Sequence, residues 1–345
     1  MIKKLISLTL ILSMLSLVLA GCGGGGADTP AGDTNDSEQT YSFELAMDSP
    51  EDTVTYLFGK KFADLVDEKS NGRIKITVYS SGQLGGDREI CESVQKGDIA
   101  FVVQNTAPQV NFVPELAVFD LPNLFPNAEV ARKVLDGPFF DTIAEKYEEN
   151  NIKLLGYADQ GFRVMTTNKK VETIEDFNGQ KIRTMENPYH LAYWQALGAN
   201  PTPMAFAEVY LGLQQGTIDA QENPYEVIVA NRFYEIQKYV VNTNHLIHLI
   251  SLITNVQLFN DLSEQDQQII LEAAEEAKVW AREQADLRVE DRVNTIVENG
   301  AEIVDISDEL REEMIKRSES VYEEIRNAIG DELVDAALKA VEEVQ

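Results

Sequence analysis

The chain has 345 residues, 58 of them acidic and 29 basic, for a net charge of −29. That balance argues against a nucleic-acid partner, because such binding rests on Lys and Arg neutralising phosphates. With only two cysteines, Cys22 and Cys91, it also excludes a disulfide-stapled fold.

The first residues read as a targeting segment. Lys3 and Lys4 precede an apolar run over 5–19, and Leu19-Ala20-Gly21-Cys22 places small residues before a cysteine. This is the pattern of a secretory signal, 1–21, ending in a lipoprotein-type cleavage site. About fifteen apolar residues fall short of the roughly twenty that a spanning helix needs. Cys22 is therefore the expected lipidated N-terminus, and 22–40, with its run of glycines, the flexible tether behind it. The expected location is extracytoplasmic, in the periplasm or on the outer face of the cytoplasmic membrane, anchored through Cys22. Cys91 sits in a helical pattern and reads as core. The rest is long enough for two domains.

Residues 41–47 alternate through Phe43, Leu45 and Met47, as a strand does. Over 53–70 the apolar positions Val54, Leu57, Phe58, Phe62, Leu65 and Val66 have helical spacing, and Asn71-Gly72 ends the helix. A strand over 73–79 and a Gly-rich turn over 82–87 lead to a helix over 88–96 capped by Gly97. An apolar strand over 99–103 runs into Gln104-Asn105-Thr106. Strand, helix, strand, helix, strand is a parallel α/β unit. After a Pro- and Phe-rich loop over 111–126, a helical stretch over 129–150 and a strand over 152–157, a second unit begins.

In that unit 181–185 reads as a strand, and Asn187-Pro188 opens a helix, Asn as cap and Pro at the first position. That helix, over 189–197, ends at Gly198. A short strand over 200–203, a helix over 205–216 and a strand over 217–220 follow, the last finishing in Gln221-Glu222-Asn223. The two units rhyme: Gln95-Lys-Gly-Asp-Ile-Ala100 resembles Gln214-Gln-Gly-Thr-Ile-Asp219, and each strand closes on an amide, Asn105 or Asn223. Polar groups at the carboxyl ends of parallel strands are where ligands bind in open α/β sheets. Ser263 then starts the longest helix, which Asn299-Gly300 stops; its length of about 54 Å exceeds one lobe, so it is expected to span both. A strand over 301–304 and helices over 308–345 complete the chain.

Arginine is the residue type for bidentate carboxylate recognition, because its planar fork matches both oxygens and burial does not remove its charge. Arg163 lies just past a strand and a glycine, and Arg183 lies within the 181–185 strand; on spacing alone each is an ordinary solvated arginine. Enzyme signatures are absent. The three histidines, His190, His245 and His248, form no His-Glu-x-x-His, and no Gly-x-Ser-x-Gly elbow occurs. His245 and His248 could share one helical face toward a metal, but their apolar surroundings favour buried, hydrogen-bonded histidines. Glu92 with Asp98, and Asp219 with Glu222, lack the spacing of an acid/base couple.

The stretches Gly198-Ala-Asn-Pro-Thr-Pro-Met-Ala-Phe-Ala-Glu-Val-Tyr210, Asp219-Ala-Gln-Glu-Asn-Pro224 and Phe233-Tyr-Glu-Ile-Gln-Lys-Tyr239 resemble the solute receptors of TRAP (tripartite ATP-independent periplasmic) transporters. Gly82-Gln-Leu-Gly-Gly-Asp-Arg88 and Thr243-Asn-His245 match too, so the likeness covers nearly everything after Tyr41. It implies a two-lobed, periplasmic-binding-protein-like α/β fold of the class II type, with a domain-spanning helix and a ligand cleft between lobes. Lobe I would hold 41–160 and about 249–288, and lobe II 161–248 and about 289–345. The resemblance implies no enzyme, cofactor or metal, and a monomer that captures a small organic acid and delivers it to membrane transporter subunits. By position, Arg183 would pair with the ligand carboxylate, Arg163 would be a second arginine of the site and Asn223 its supporting amide. Phe206 would pack on the ligand, and Asp48, Asp87 and Asn105 would contact the rest of it, with Glu186 and Asn187 beside them. The 201–210 stretch is close to sialic acid receptors. Asp48, Asn105 and Glu186 depart from that branch and favour a smaller sugar acid, a uronate or aldonate, or a C4-dicarboxylate. A sialate or keto-acid receptor, and a secreted carbohydrate-acting enzyme, are the alternatives.

Overall fold

The computed structural model describes residues 39–345. The expected signal, the Cys22 anchor and nearly all of the tether lie outside the described residues.

The chain first lays down β1 (Tyr41–Ala46), β2 (Ile74–Tyr79), β3 (Phe101–Asn105) and β4 (Ile152–Phe162). It then builds β5 (Val164–Thr167), β6 (Lys181–Thr184), β7 (Asn200–Pro203), β8 (Ala220–Asn223) and β9 (Tyr239–Val241), returns with β10 (Ile247–Asn255), and ends its strands at β11 (Glu302–Val304). Two sheets result, ordered β2-β1-β3-β10-β4 and β11-β9-β5-β8-β6-β7. The backbone passes from the first to the second after β4, back into β10 and out again to β11, so each lobe is assembled from separated stretches.

The parallel core of each unit matches its sequence pattern. β1 pairs in parallel with β2 and with β3, and β6 with β7 and β8. Thr53 caps the helix Val54–Lys69 by accepting from the Tyr56 amide. Gly97 and Gly216 both end helices in the left-handed region, at φ 82° and 71°, where a side chain would be strained. The rhyme over 95–100 and 214–219 is thus the same punctuation used twice.

The antiparallel strands were not legible. β10 runs antiparallel to both β3 and β4, and β5 antiparallel to β8 and β9. Every residue of β10 is buried, and its sequence IHLISLITN shows no strict alternation, so periodicity does not mark it as a strand. The helical face imagined for His245 and His248 does not exist: His248 lies in β10 and His245 just before it. The strand expected over 217–220 starts later, at Ala220, yet still closes on Asn223.

The long helix, Glu264–Glu298, has 35 residues and is therefore about 52 Å long. Ser263 accepts from the Asp266 amide at 3.1 Å and its hydroxyl donates to the Asp266 carboxylate at 2.9 Å, half of a capping box. Ala273, Ala274, Ala277 and Ala281 are fully buried in the core of the first sheet, and Ile296 enters that of the second. The helix spans both lobes, and its small residues let it lie close against Val54–Lys69. The last helix, Asp331–Val344, packs on Ala128–Leu135 and Pro138–Glu149. Its Val334 and Ala337 share a core with Val130 and Ala131, in a cluster that takes in residues of both sheets. Cys91 is buried, and desolvation pushes its thiol up, which fits its reading as core.

Ala277→Leu should overpack this interface and lower unfolding free energy by about 1–3 kcal/mol. Urea denaturation followed by far-UV circular dichroism should show an earlier midpoint with an unchanged folded spectrum.

Candidate functional site

Between the sheets opens a cavity of ≈350 Å³ whose lining includes Asp48, Asp87, Arg183, Glu186 and Phe206. A small recess beneath it adds Asn105, Asn223 and His248. Most of these residues stand at strand ends: Asp48 just past β1, Asn105 at the end of β3, Arg183 in β6, Asn223 at the end of β8.

Arg183 is 1% exposed. Its Nε and Nη2 both donate to the Met204 carbonyl, at 2.9 and 2.7 Å, and its guanidinium stands 5.7 Å from the Phe206 ring centroid. One edge of the fork is thus tied to the backbone. Nη1 and the second Nη2 hydrogen have no acceptor among the described residues, and they form the end-on pair that a carboxylate can accept from bidentately. Burial lowers the arginine to about 10 against the pull of Glu222 and Asp87, so it remains charged at neutral pH.

The facing wall is acidic and amide-rich. Asp48 and Asp87 are half-buried. Gln104 Nε2 donates to the Asp87 carbonyl at 2.7 Å and to its carboxylate at 2.9 Å, while Ser49 donates to Asp48 at 3.2 Å. Burial, followed by the neighbouring Asp87, holds Asp48 well above its ordinary value; burial also raises Asp87. Asn105 spends its Nδ2 on the Leu249 carbonyl at 2.8 Å and its Oδ1 on the Ala107 amide at 2.9 Å. At the mouth, Glu186 is exposed; its carboxylate is 3.7 Å from Arg88 and its carbonyl accepts from Asn111 at 2.8 Å.

Two expected residues lie elsewhere. Arg163 does not line the cavity. Its Nε donates to Glu222 Oε2 and its Nη2 to Glu222 Oε1 at 2.8 Å and to Asn223 Oδ1 at 3.2 Å, while Nη1 meets His248 Nδ1. Every nitrogen of the fork is engaged. Asn187 caps the helix Pro188–Ala196 and donates to the Ala107 carbonyl at 2.9 Å and to Asp120 at 2.6 Å; its side chain is fully used in structure.

Behind the wall, Glu222 is the hub. Burial alone would raise its carboxyl, but Arg163, His190 and His245 hold it well below the usual range. His245 Nε2 lies 3.2 Å from Glu222 Oε2. Asp120 at 3.0 Å and Glu222 outweigh desolvation at His190 and bring it to about 9. His248 is the lining residue that sequence reasoning missed, because its strand was unread. A guanidinium only donates, so His248 Nδ1 must accept from Arg163 and the ring proton sits on Nε2. Burial and the Arg163 charge keep the ring well below its ordinary value and thus neutral.

A larger cavity of ≈600 Å³ opens where β4 leaves the first sheet, beside Phe162, Glu226, Arg292 and Arg311. It contains none of the expected residues. Arg292 is consumed by Glu226 at 2.8 Å and Asp52 at 2.7 Å, and Arg311 faces the Thr243 and Asn242 carbonyls at 3.3 and 3.4 Å. The smaller cavity, with its unspent fork, has the chemistry of an anion site.

The chain is 32% identical over 310 residues, 88% of this chain and 92% of the relative, to the 2,3-diketo-L-gulonate-binding periplasmic protein of Escherichia coli. Its structure resembles that of the sugar acid binding protein DctPAm from Advenella mimigardefordensis in complex with galactonate, with a TM-score of 0.86 and 30% identity, covering 89% of this chain and 99% of the other. A TRAP periplasmic solute binding protein from Polaromonas bound to D-erythronate gives a TM-score of 0.82 and 33% identity, covering 87% and 98%. The family described as bacterial extracellular solute-binding protein, family 7 (DctP), matches residues 45–328. With a match over most of its length, the chain belongs to that family, the solute-binding proteins of TRAP transporters.

Proposed function

We propose that this protein captures a small organic acid, a sugar acid or a C4-dicarboxylate, and delivers it to the membrane subunits of a TRAP transporter. The observation that carries the reading is the half-anchored fork of Arg183, buried, charged and with its end-on donors unspent. Phe206 packs on the ligand, Asp48, Asp87 and Asn105 meet its far end, and Asn223 and His248 floor the recess. Arg163 is a positioning residue, holding Asn223 and His248 while Glu222 neutralises it. Asn187 fixes the loop that carries Glu186. Glu186 with Arg88 and Asn111 bridges the mouth, and ligand binding shifts the population toward the closed form by adding contacts to both walls.

A binding role is favoured over turnover by the placement of the carboxyls. Asp48 and Asp87 line the cavity together, whereas glycoside cleavage sets two carboxyls on opposite sides of the scissile bond, about 5 Å or more apart. The protein acts as a monomer, lipid-anchored through Cys22 outside the cytoplasm, as the 1–22 pattern supports. Among the described residues no helix is long and apolar enough to cross a membrane.

Arg183→Ala should leave the fold intact and cost about 2–5 kcal/mol of affinity for the acid found in a thermal-shift screen, the range for a desolvated charge pair. Calorimetry returning wild-type affinity would sink the assignment. Arg163→Ala should behave differently: it leaves Glu222 buried without its guanidinium, so unfolding free energy should fall by about 3–5 kcal/mol. Urea titration of both variants separates the roles, since Arg183→Ala should unfold close to wild type.

A further inference from the structure

The wall opposite Arg183 carries information about the class of acid. Asp48 and Asp87 both line the cavity that Arg183 lines, and both also line the recess beneath it. Each has one oxygen already occupied: Asp87 Oδ1 accepts from Gln104 at 2.9 Å and Asp48 Oδ1 from Ser49 at 3.2 Å. The remaining oxygen of each has no donor among the described residues. Burial raises both carboxyls, and the neighbouring Asp87 raises Asp48 further. The unoccupied oxygens are acceptors for the hydroxyl groups of a ligand.

The cations available to a second carboxylate are few. Arg183 is the one buried cation of the lining. Arg88 stands at the mouth, exposed, 3.7 Å from Glu186 and 6.0 Å from the Phe112 ring centroid. Glu89 adds a further carboxyl to the same wall. An acid whose first carboxylate sits on Arg183 would therefore bring a second one toward Asp48, Asp87 and Glu89, with only the exposed Arg88, which faces Glu186, as a further positive group in the lining. Hydroxyls in that place meet partners instead.

Resting on the organic-acid reading above, we infer that Asp48 and Asp87 act as one hydroxyl-reading pair that admits polyhydroxy monocarboxylates and rejects dicarboxylates. The pair sets the class by repulsion as much as by attraction, since like charges brought together across a binding site suppress the wrong partner.

The test is isothermal titration calorimetry of the full protein with D-galactonate, D-erythronate, L-gulonate and D-glucuronate against succinate and malate. At least one hydroxy monocarboxylate should bind about 100-fold or more tighter than either dicarboxylate, and Asp87→Asn or Asp48→Asn should shrink that ratio about tenfold by removing the repelling charge. Succinate or malate binding as tightly as the best sugar acid, or variants that weaken both classes equally, overturns the inference while leaving organic-acid capture standing. If no acid binds and a neutral sugar does, organic-acid capture falls and the inference with it. Should the variants fail to fold, the wild-type ratio alone decides.

Discussion

The buried contact between Arg163 and Glu222 is the constraint on which the rest of the binding wall depends. A guanidinium and a carboxylate withdrawn from water repay their desolvation only when every remaining donor and acceptor is satisfied. Here the surplus donors of Arg163 go to Asn223 and His248, and the surplus acceptors of Glu222 to His245 and, at 3.9 Å, His190. The pair joins β5's approach, β8 and β10, elements of both sheets. It also fixes what the recess presents, because the tautomer of His248 follows from which partner its Nδ1 faces.

Against that rigid floor, Arg183 is held differently. Its anchor is a neutral carbonyl, that of Met204, which orients the fork without neutralising it. An arginine answered by a carboxylate would have little left for a ligand. One tied to a carbonyl keeps its charge and exposes the edge that matches a carboxylate. The protein's large negative charge is no obstacle, since the acidic surface is screened over about 8 Å at physiological ionic strength while the site acts at contact distance.

The crossing of the chain between sheets gives the two walls their relation. β4 and β10 lie side by side in the first sheet and lead directly into β5 and out of β9 in the second. The long helix touches both cores, with alanines where it lies closest to the first. Residues far apart in sequence, such as Asp48 and Phe206, thereby line one cavity.

The sequence by itself determined the local grammar: the start of the long helix at Ser263 and its length, the glycines at 97 and 216, and the parallel units ending on Asn105 and Asn223. These depend on neighbours within a few residues, so pattern reveals them. It also singled out Arg183 at β6, through family likeness rather than spacing. Only tertiary structure decided which arginine has donors to spare, because Arg163 and Arg183 are the same residue type and differ solely in partners 21 to 85 positions away. The same holds for His248, whose strand is buried on both faces and carries no periodic signal. Asp48 and Asp87 came to line one cavity only when β1 and the helix after β2 brought them to the same wall, a placement that no neighbour in sequence reveals.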